Sequence, residues 1–371
     1  MTKFPNRYDV VGSLKRPQDL KDVHQRLAEG KATEEEALDI QHKEIKRVVE
    51  KEAELGLKAV TDGEFSRSWW HLDFLWGLNG VDKYDYHESY KFKGSKTRTD
   101  NVEITGKVSY NPNHPFFEAF QYLQSVTPEG VTAKQTIPSP SMLFRDNRSN
   151  FALRYYDNWD EYLDDVAEAY HETIQHFYDL GCRYLQMDDT TWAYLISKMI
   201  ENKEDFQEYE KYRKLAEDAV KVINKVLEGL PEDLTVTTHV CRGNFKSTYL
   251  FSGGYEYVAK YLGQLNYDGF FLEYDTDRAG TFDPLADIWN GRKNVRIVLG
   301  LVTSKFPELE DKELLKERIQ AASKFVPLEN LCLSTQCGFA STEEGNNVTE
   351  DEQWAKLKLV IDTAKEVWPE D

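Results

Sequence analysis

Short runs of β-branched and other apolar residues recur along the chain, each closed by polar residues, Gly or Pro. Most are followed by a long segment of helical periodicity. These runs predict eight strands, near Tyr8–Gly12, Lys58–Thr61, Val131–Ile137, Tyr184–Met187, Thr235–Thr238, Gly269–Leu272, Val295–Leu301 and Leu331–Ser334. Thr33–Leu55 predicts a helix with Thr33 as cap, Glu36 three residues on, a stripe of Ile40, Ile45, Val48 and Val49, and Gly56 as its stop. A second helix runs from Trp159 to Leu180, with Leu163, Val166, Tyr170, Ile174 and Phe177 on one side and Gly181 at its end. Asp205–Leu230, Asp311–Phe325 and Glu350–Val367 continue the pattern, all charged on their outer faces. The alternation predicts an α/β fold closed as a (β/α)8 TIM barrel, one catalytic domain over residues 1–371.

One connection departs from this regularity. Roughly 65 residues separate the second and third expected strands, where about 2–6 are usual. They include Trp69, Trp70, Trp76, Tyr84, Tyr86, Tyr90 and Phe92, the alternating stretch YKFKGSKTRTDNVEITGKVSY, and a short helical pattern around Phe116–Leu123. The expectation is an aromatic β-hairpin insertion, about residues 66–130, forming a lid over the C-terminal face where barrel enzymes carry their sites.

Composition narrows the function. The 371 residues exceed one ordinary domain but suit a large barrel. Forty-six Lys and Arg against 65 Asp and Glu give a formal charge of −19, which argues against nucleic acid and anionic membranes as partners. No stretch approaches the ~20 apolar residues of a membrane span. The start, MTKFPNRYDVVGSL, lacks a signal-peptide pattern, so a cytoplasmic protein is expected. The four cysteines are too few for a disulfide scaffold.

Chemistry gathers at the expected strand ends. THVCRGN brings His239 and Cys241, FFLEYD brings Glu273, and LSTQCGF brings Cys337. Each alone has an ordinary structural explanation, but together they place an imidazole, two thiols and a carboxylate at one barrel mouth, a donor set suited to Zn2+. Cys182 and Cys332 are expected to be packing. A thiolate-rich zinc site, bare charge about −1, favours ionising an incoming thiol and alkylating its sulfur. Ser13 in VGSLKRP offers a donor for a carboxylate, Glu64 in TDGEFSR an acceptor for an ammonium, and QMDDTTW adds Asp188 and Asp189. An amino-acid thiol such as homocysteine fits that set.

The ordered motifs VGS, DGE, QMDD, HVC, LEYD and QCG resemble the cobalamin-independent methionine synthase family, in a single-domain form similar to its C-terminal catalytic barrel. The resemblance implies zinc on His239, Cys241, Glu273 and Cys337. It also implies homocysteine on Ser13, Glu64 and Asp188, with Glu64 and Asp188 as the catalytic carboxylates. The implied reaction is methyl transfer to homocysteine, giving methionine, from a 5-methyltetrahydrofolate-type donor. Three departures concern the donor side: Thr303 or Ser304 stands where the family has a His, QMDDT shortens a Glu to Asp189, and PSPSMLFRDNR has no stacking Trp. Another thiol such as coenzyme M, or another donor such as a methylcorrinoid or S-methylmethionine, remains open. So do a metal-free glycosidase-like barrel using Asp188 or Asp189 with Glu273, and a closed structural zinc site.

Overall fold

In the computed structural model, which describes residues 4–146 and 149–369, a parallel sheet curls around a packed interior. Its seven strands are β1 (Ala59–Val60), β2 (Thr132–Pro138), β3 (Tyr184–Asp189), β4 (Thr235–Val240), β5 (Gly269–Glu273), β6 (Arg296–Val302) and β7 (Leu331–Thr335), paired in chain order. The longer helices are α1 (Gln18–Ala28), α2 (Glu34–Leu55), α3 (Pro115–Val126), α4 (Trp159–Asp179), α5 (Thr191–Glu201), α6 (Phe206–Leu227), α7 (Lys312–Ala322) and α8 (Glu350–Val367). Parallel strands require such crossovers, and the result is a TIM-like α/β architecture.

The first expected strand is reduced to a single bridge, Tyr8 with Leu333 of β7. The backbone beyond it is taken up by side chains. Lys134 donates to the Val10 carbonyl, Gln186 to Val11 and Thr61 to Gly12, while the Val10 N–H donates to the Asp9 carboxylate. With those groups satisfied, Tyr8–Gly12 closes the gap between β7 and β1 without a ladder of its own.

Local signals explain the helices. In α2 the Thr33 hydroxyl accepts from the Glu36 N–H, and Gly56 ends the helix at φ 99°. Thr349 and Glu352 form a capping box on α8. Cys182 and Cys332 are buried, and burial pushes their thiols up to about 12 and about 11. They remain neutral packing groups.

Between β1 and β2 the chain makes an antiparallel ribbon, Asn79–Asp85 with Asp100–Ser109, and a small pair, Lys91–Phe92 with Ser95–Lys96. The ribbon is anchored, not free-standing: Val81, Val102, Ile104 and Val108 are buried in the main core, and the Val108 N–H donates to the Tyr156 hydroxyl at 2.7 Å. Asn147 and Arg148 of the PSPSMLFRDNR segment lie outside the described residues, as do the first three and last two.

His114 caps α3 in a way that depends on its charge. Its Nδ1 accepts from the Phe116 N–H at 3.1 Å, and its Nε2–H donates to the Phe74 carbonyl at 2.8 Å. Both bonds together need the neutral ring, and burial above all lowers its pKa to about 4. The unfolded chain takes up that proton near pH 6.5. Between those values the unfolded state binds more protons, so stability falls as pH drops through the window. The expected loss from neutral pH to near pH 4 is about 3 kcal/mol. Urea midpoints at both pH values should show this component in the native chain and not in His114→Asn; equal slopes would contradict it.

Candidate metal centre

Period-two alternation places His239 and Cys241 on one side of the chain, since β4 ends at Val240 and Cys241 follows directly. Glu273 is the last residue of β5, and Cys337 lies two residues beyond β7. All four are buried, and one ligand atom from each lies within 4.8 Å of the others. The two sulfurs are 3.7 Å apart.

Several features fit a cation at that point. Both ring nitrogens of His239 are buried without a hydrogen-bond partner, the Cys337 thiol being a close neighbour. Contact with Cys241, then with His239, draws the Cys337 thiol well down, while contact with Cys337 and burial push Cys241 well up. Without a cation the pair therefore retains a proton; a divalent ion would release it. Glu273 is fixed at the rim: Oε1 accepts from the Arg242 N–H and Oε2 from Arg278, each at 2.9 Å. Arg278 also pairs with Asp275 at 3.0 Å.

The cavity beside the sulfurs is lined by Ser13, Glu64 and Asp188 together with His239, Cys241 and Cys337. Ser13 Oγ accepts from the Ala340 N–H at 3.2 Å, leaving its proton to donate. A Cβ on Gly338 would stand 2.0 Å from that oxygen, so only glycine fits. Glu64 sits at φ 63° after Gly63 at φ 68°, a double left-handed turn held by the Asp62 carboxylate on the Glu64 N–H. Its Oε1 meets Thr136 at 3.0 Å and Arg67 at 3.3 Å, while Oε2 is buried and unpartnered. Burial raises the Glu64 pKa against the pull of Arg67 and Arg16. Asp188 accepts from Gln186 at 2.7 Å and is pushed to about 7, first by burial, with His239 opposing and Glu64 reinforcing.

Asp189 does not join this group. It points from β3 to the opposite side, where Oδ1 accepts from the Thr191 N–H and Oδ2 from Ser141. Its carboxylate thus anchors the start of α5, because adjacent strand residues face opposite ways. Ser304 is likewise committed, to Gln336 and the Gly338 carbonyl, and Thr303 faces a separate outer cleft. Of the two carboxylates of the glycosidase reading, Asp188 lines this cavity, whereas Glu273 meets the Arg242 N–H and Arg278.

Sequence reasoning missed the arginines that hold the site. Arg16 donates to the carbonyls of Leu14, Gly63, Ala340, Glu64 and Arg67, joining three loops at one point. Arg67 bonds Thr136 beneath Glu64. Their signal was proximity alone, three residues after Ser13 and three after Glu64.

A family description, the catalytic domain of cobalamin-independent synthases, matches residues 8–366. The chain belongs to that family. YxjH of Bacillus subtilis (strain 168), an uncharacterized protein, is 49% identical over 374 residues, covering 99% of this chain and 96% of YxjH. The 5-methyltetrahydropteroyltriglutamate–homocysteine methyltransferase of Thermotoga petrophila is 22% identical over 96% of this chain, which spans only 44% of that enzyme. Among solved structures, a candidate vitamin-B12 independent methionine synthase from Listeria monocytogenes aligns over 99% of both chains at 38% identity and TM-score 0.77. A B12-independent methionine synthase from Shewanella sp. W3-18-1, in complex with selenomethionine, shares the fold at 20% identity, TM-score 0.66 and 97% coverage of both chains. Family membership supports methyltransferase activity in a barrel of the cobalamin-independent methionine synthase kind. Among the described residues no helix is long and apolar enough to cross a membrane.

Proposed function

We propose that this protein is a zinc-dependent thiol S-methyltransferase whose acceptor is homocysteine and whose product is methionine. The observation that carries the reading is the shared cavity, in which the sulfur and imidazole donors face the same space as Ser13, Glu64 and Asp188. Zinc on His239, Cys241, Glu273 and Cys337 would supply the positive charge that ionises an incoming thiol at neutral pH.

The chain's own residues do the rest. Ser13 donates to the acceptor's carboxylate, and the free oxygen of Glu64, with Asp188 nearby, receives its ammonium. This fixes the acceptor at both charged ends and leaves its sulfur toward Cys241 and Cys337. Trp70 lines the cavity, and its backbone N–H donates to the Ser341 carbonyl at 2.9 Å. The segment about residues 66–130 thereby serves as a lid over the barrel mouth that excludes water from the charged sulfur. The resemblance carries over a methylated folate as donor, and acceptor chemistry does not depend on that choice.

The test is metal content together with sulfur binding. Protein purified without chelator should hold one zinc per chain, and adding homocysteine without any donor should create a new zinc–sulfur distance in X-ray absorption. A full metal site that homocysteine leaves unchanged would point instead to structural zinc.

A further inference from the structure

Beside the acceptor cavity lies a second one, walled by Trp69, Trp70, Tyr90 and Phe92 from the excursion after β1 and by Phe245 from the loop after β4. The rings are not parallel. Trp69 and Tyr90 meet at 65° with centroids 6.1 Å apart, and Phe92 meets Phe245 at 45° and 5.3 Å. A flat bicyclic ligand stacks best between parallel faces, whereas inclined ring faces form a box that suits a compact cation.

The polar part of the wall adds a second requirement. Among the described residues lining this cavity, Arg145 is the permanently charged side chain and no carboxylate is present. Arg145 is buried and fixed by Asp146 at 3.3 Å and by the Thr190 hydroxyl. A guanidinium next to an aromatic box matches a zwitterion, with carboxylate toward Arg145 and onium head among the rings. The cavity shares Trp70, Cys241 and Ser341 with the acceptor pocket, so the two cavities meet beside one of the sulfur donors.

We propose that this second cavity binds a small methylsulfonium carboxylate and that this compound is the methyl donor. The inference rests on the acceptor reading above. The reaction balances with two reactants. The acceptor's thiolate pair forms the new sulfur–carbon bond, and the methyl–sulfonium bond breaks with its pair remaining on the donor sulfur. The attacking anion and the sulfonium cation become two uncharged thioether sulfurs, and the leaving group needs no proton. A chain of formal charge −19 also attracts a cationic head and opposes a polyanionic donor.

The probe is dimethylsulfonioacetate, with its longer homologue dimethylsulfoniopropionate. The control is 3-methylbutanoate, which has the shape of the first with carbon in place of the charged sulfur. Calorimetric titration of the metal-loaded protein without thiol should show a sulfonium binding at least about tenfold tighter than 3-methylbutanoate. Phe92→Leu and Phe245→Leu should each reduce that preference by about 3- to 30-fold. Equal binding of sulfonium and isostere by the native chain, or no sulfonium binding, overturns the proposal. So does methyl transfer to homocysteine from 5-methyltetrahydrofolate with none from either sulfonium. Homocysteine binding on the same preparation separates the two readings. Its failure strikes the acceptor assignment, whereas failure of the sulfoniums with homocysteine bound strikes this inference alone.

Discussion

Changing Cys241 to serine is expected to strip the metal from the protein and stop turnover while leaving the barrel folded. Serine fills nearly the same volume, but its hydroxyl does not ionise as a thiol does, so the site loses an anionic sulfur donor. Complete zinc sites contribute about 10–16 kcal/mol, which spread over four ligands gives each about 3 kcal/mol, roughly 10²-fold in affinity. The fall in methyl transfer should be larger, on the order of 10³-fold, because the acceptor then lacks both its anchor and its ionising charge. Cys337 faces Cys241 at 3.7 Å, and Cys337→Ser should behave the same way. Cys182→Ser and Cys332→Ser should retain metal, since both thiols lie in the core away from the cavity. Metal analysis, a transfer assay and circular dichroism on the four variants decide the matter. Full zinc and full activity in Cys241→Ser would remove the metal centre from the mechanism.

The part of this site that was legible in the sequence is the part governed by strand geometry. Residues at strand ends share one mouth in a barrel, and the H-x-C spacing keeps His239 and Cys241 on one side, so the four donors could be grouped before any coordinates. The same alternation separates Asp188 from Asp189, but the run QMDD does not say which of the two faces inward. That follows from Gln186, whose amide reaches both Asp188 and the Val11 carbonyl inside the barrel. The segment Tyr8–Gly12 has a strand's composition yet no ladder, because Lys134, Gln186 and Thr61 come from distant elements to take its carbonyls. No local pattern announces such partners. Helix α5 is absent from the expected elements for a different reason: Thr191 follows β3 after a single residue, with no polar loop to mark a start. Helix α1 buries only Leu20 and Val23, too thin a stripe to stand out.

Glu64→Gln is expected to lower kcat/KM for homocysteine by roughly 30- to 5,000-fold while leaving the metal in place. Glu64 is buried on the cavity wall, and one of its carboxylate oxygens has no partner of its own. An ammonium arriving there gains a charge-assisted bond in a dry setting, and truncating one member of such a buried pair costs about 2–5 kcal/mol. Glutamine keeps the volume and can still accept from Thr136, so the turn is preserved and the loss is electrostatic. The substrate provides the complementary deletion. With 4-mercaptobutanoate, which is homocysteine without its amine, the native enzyme should lose a similar factor, and Glu64→Gln should lose little more. That non-additivity is what a direct carboxylate–ammonium contact requires, because either change alone already removes it. If the two losses multiplied instead, Glu64 would be acting on the shape of the loop and not on the amine, and the ammonium contact would pass to Asp188, the other carboxylate on the cavity wall.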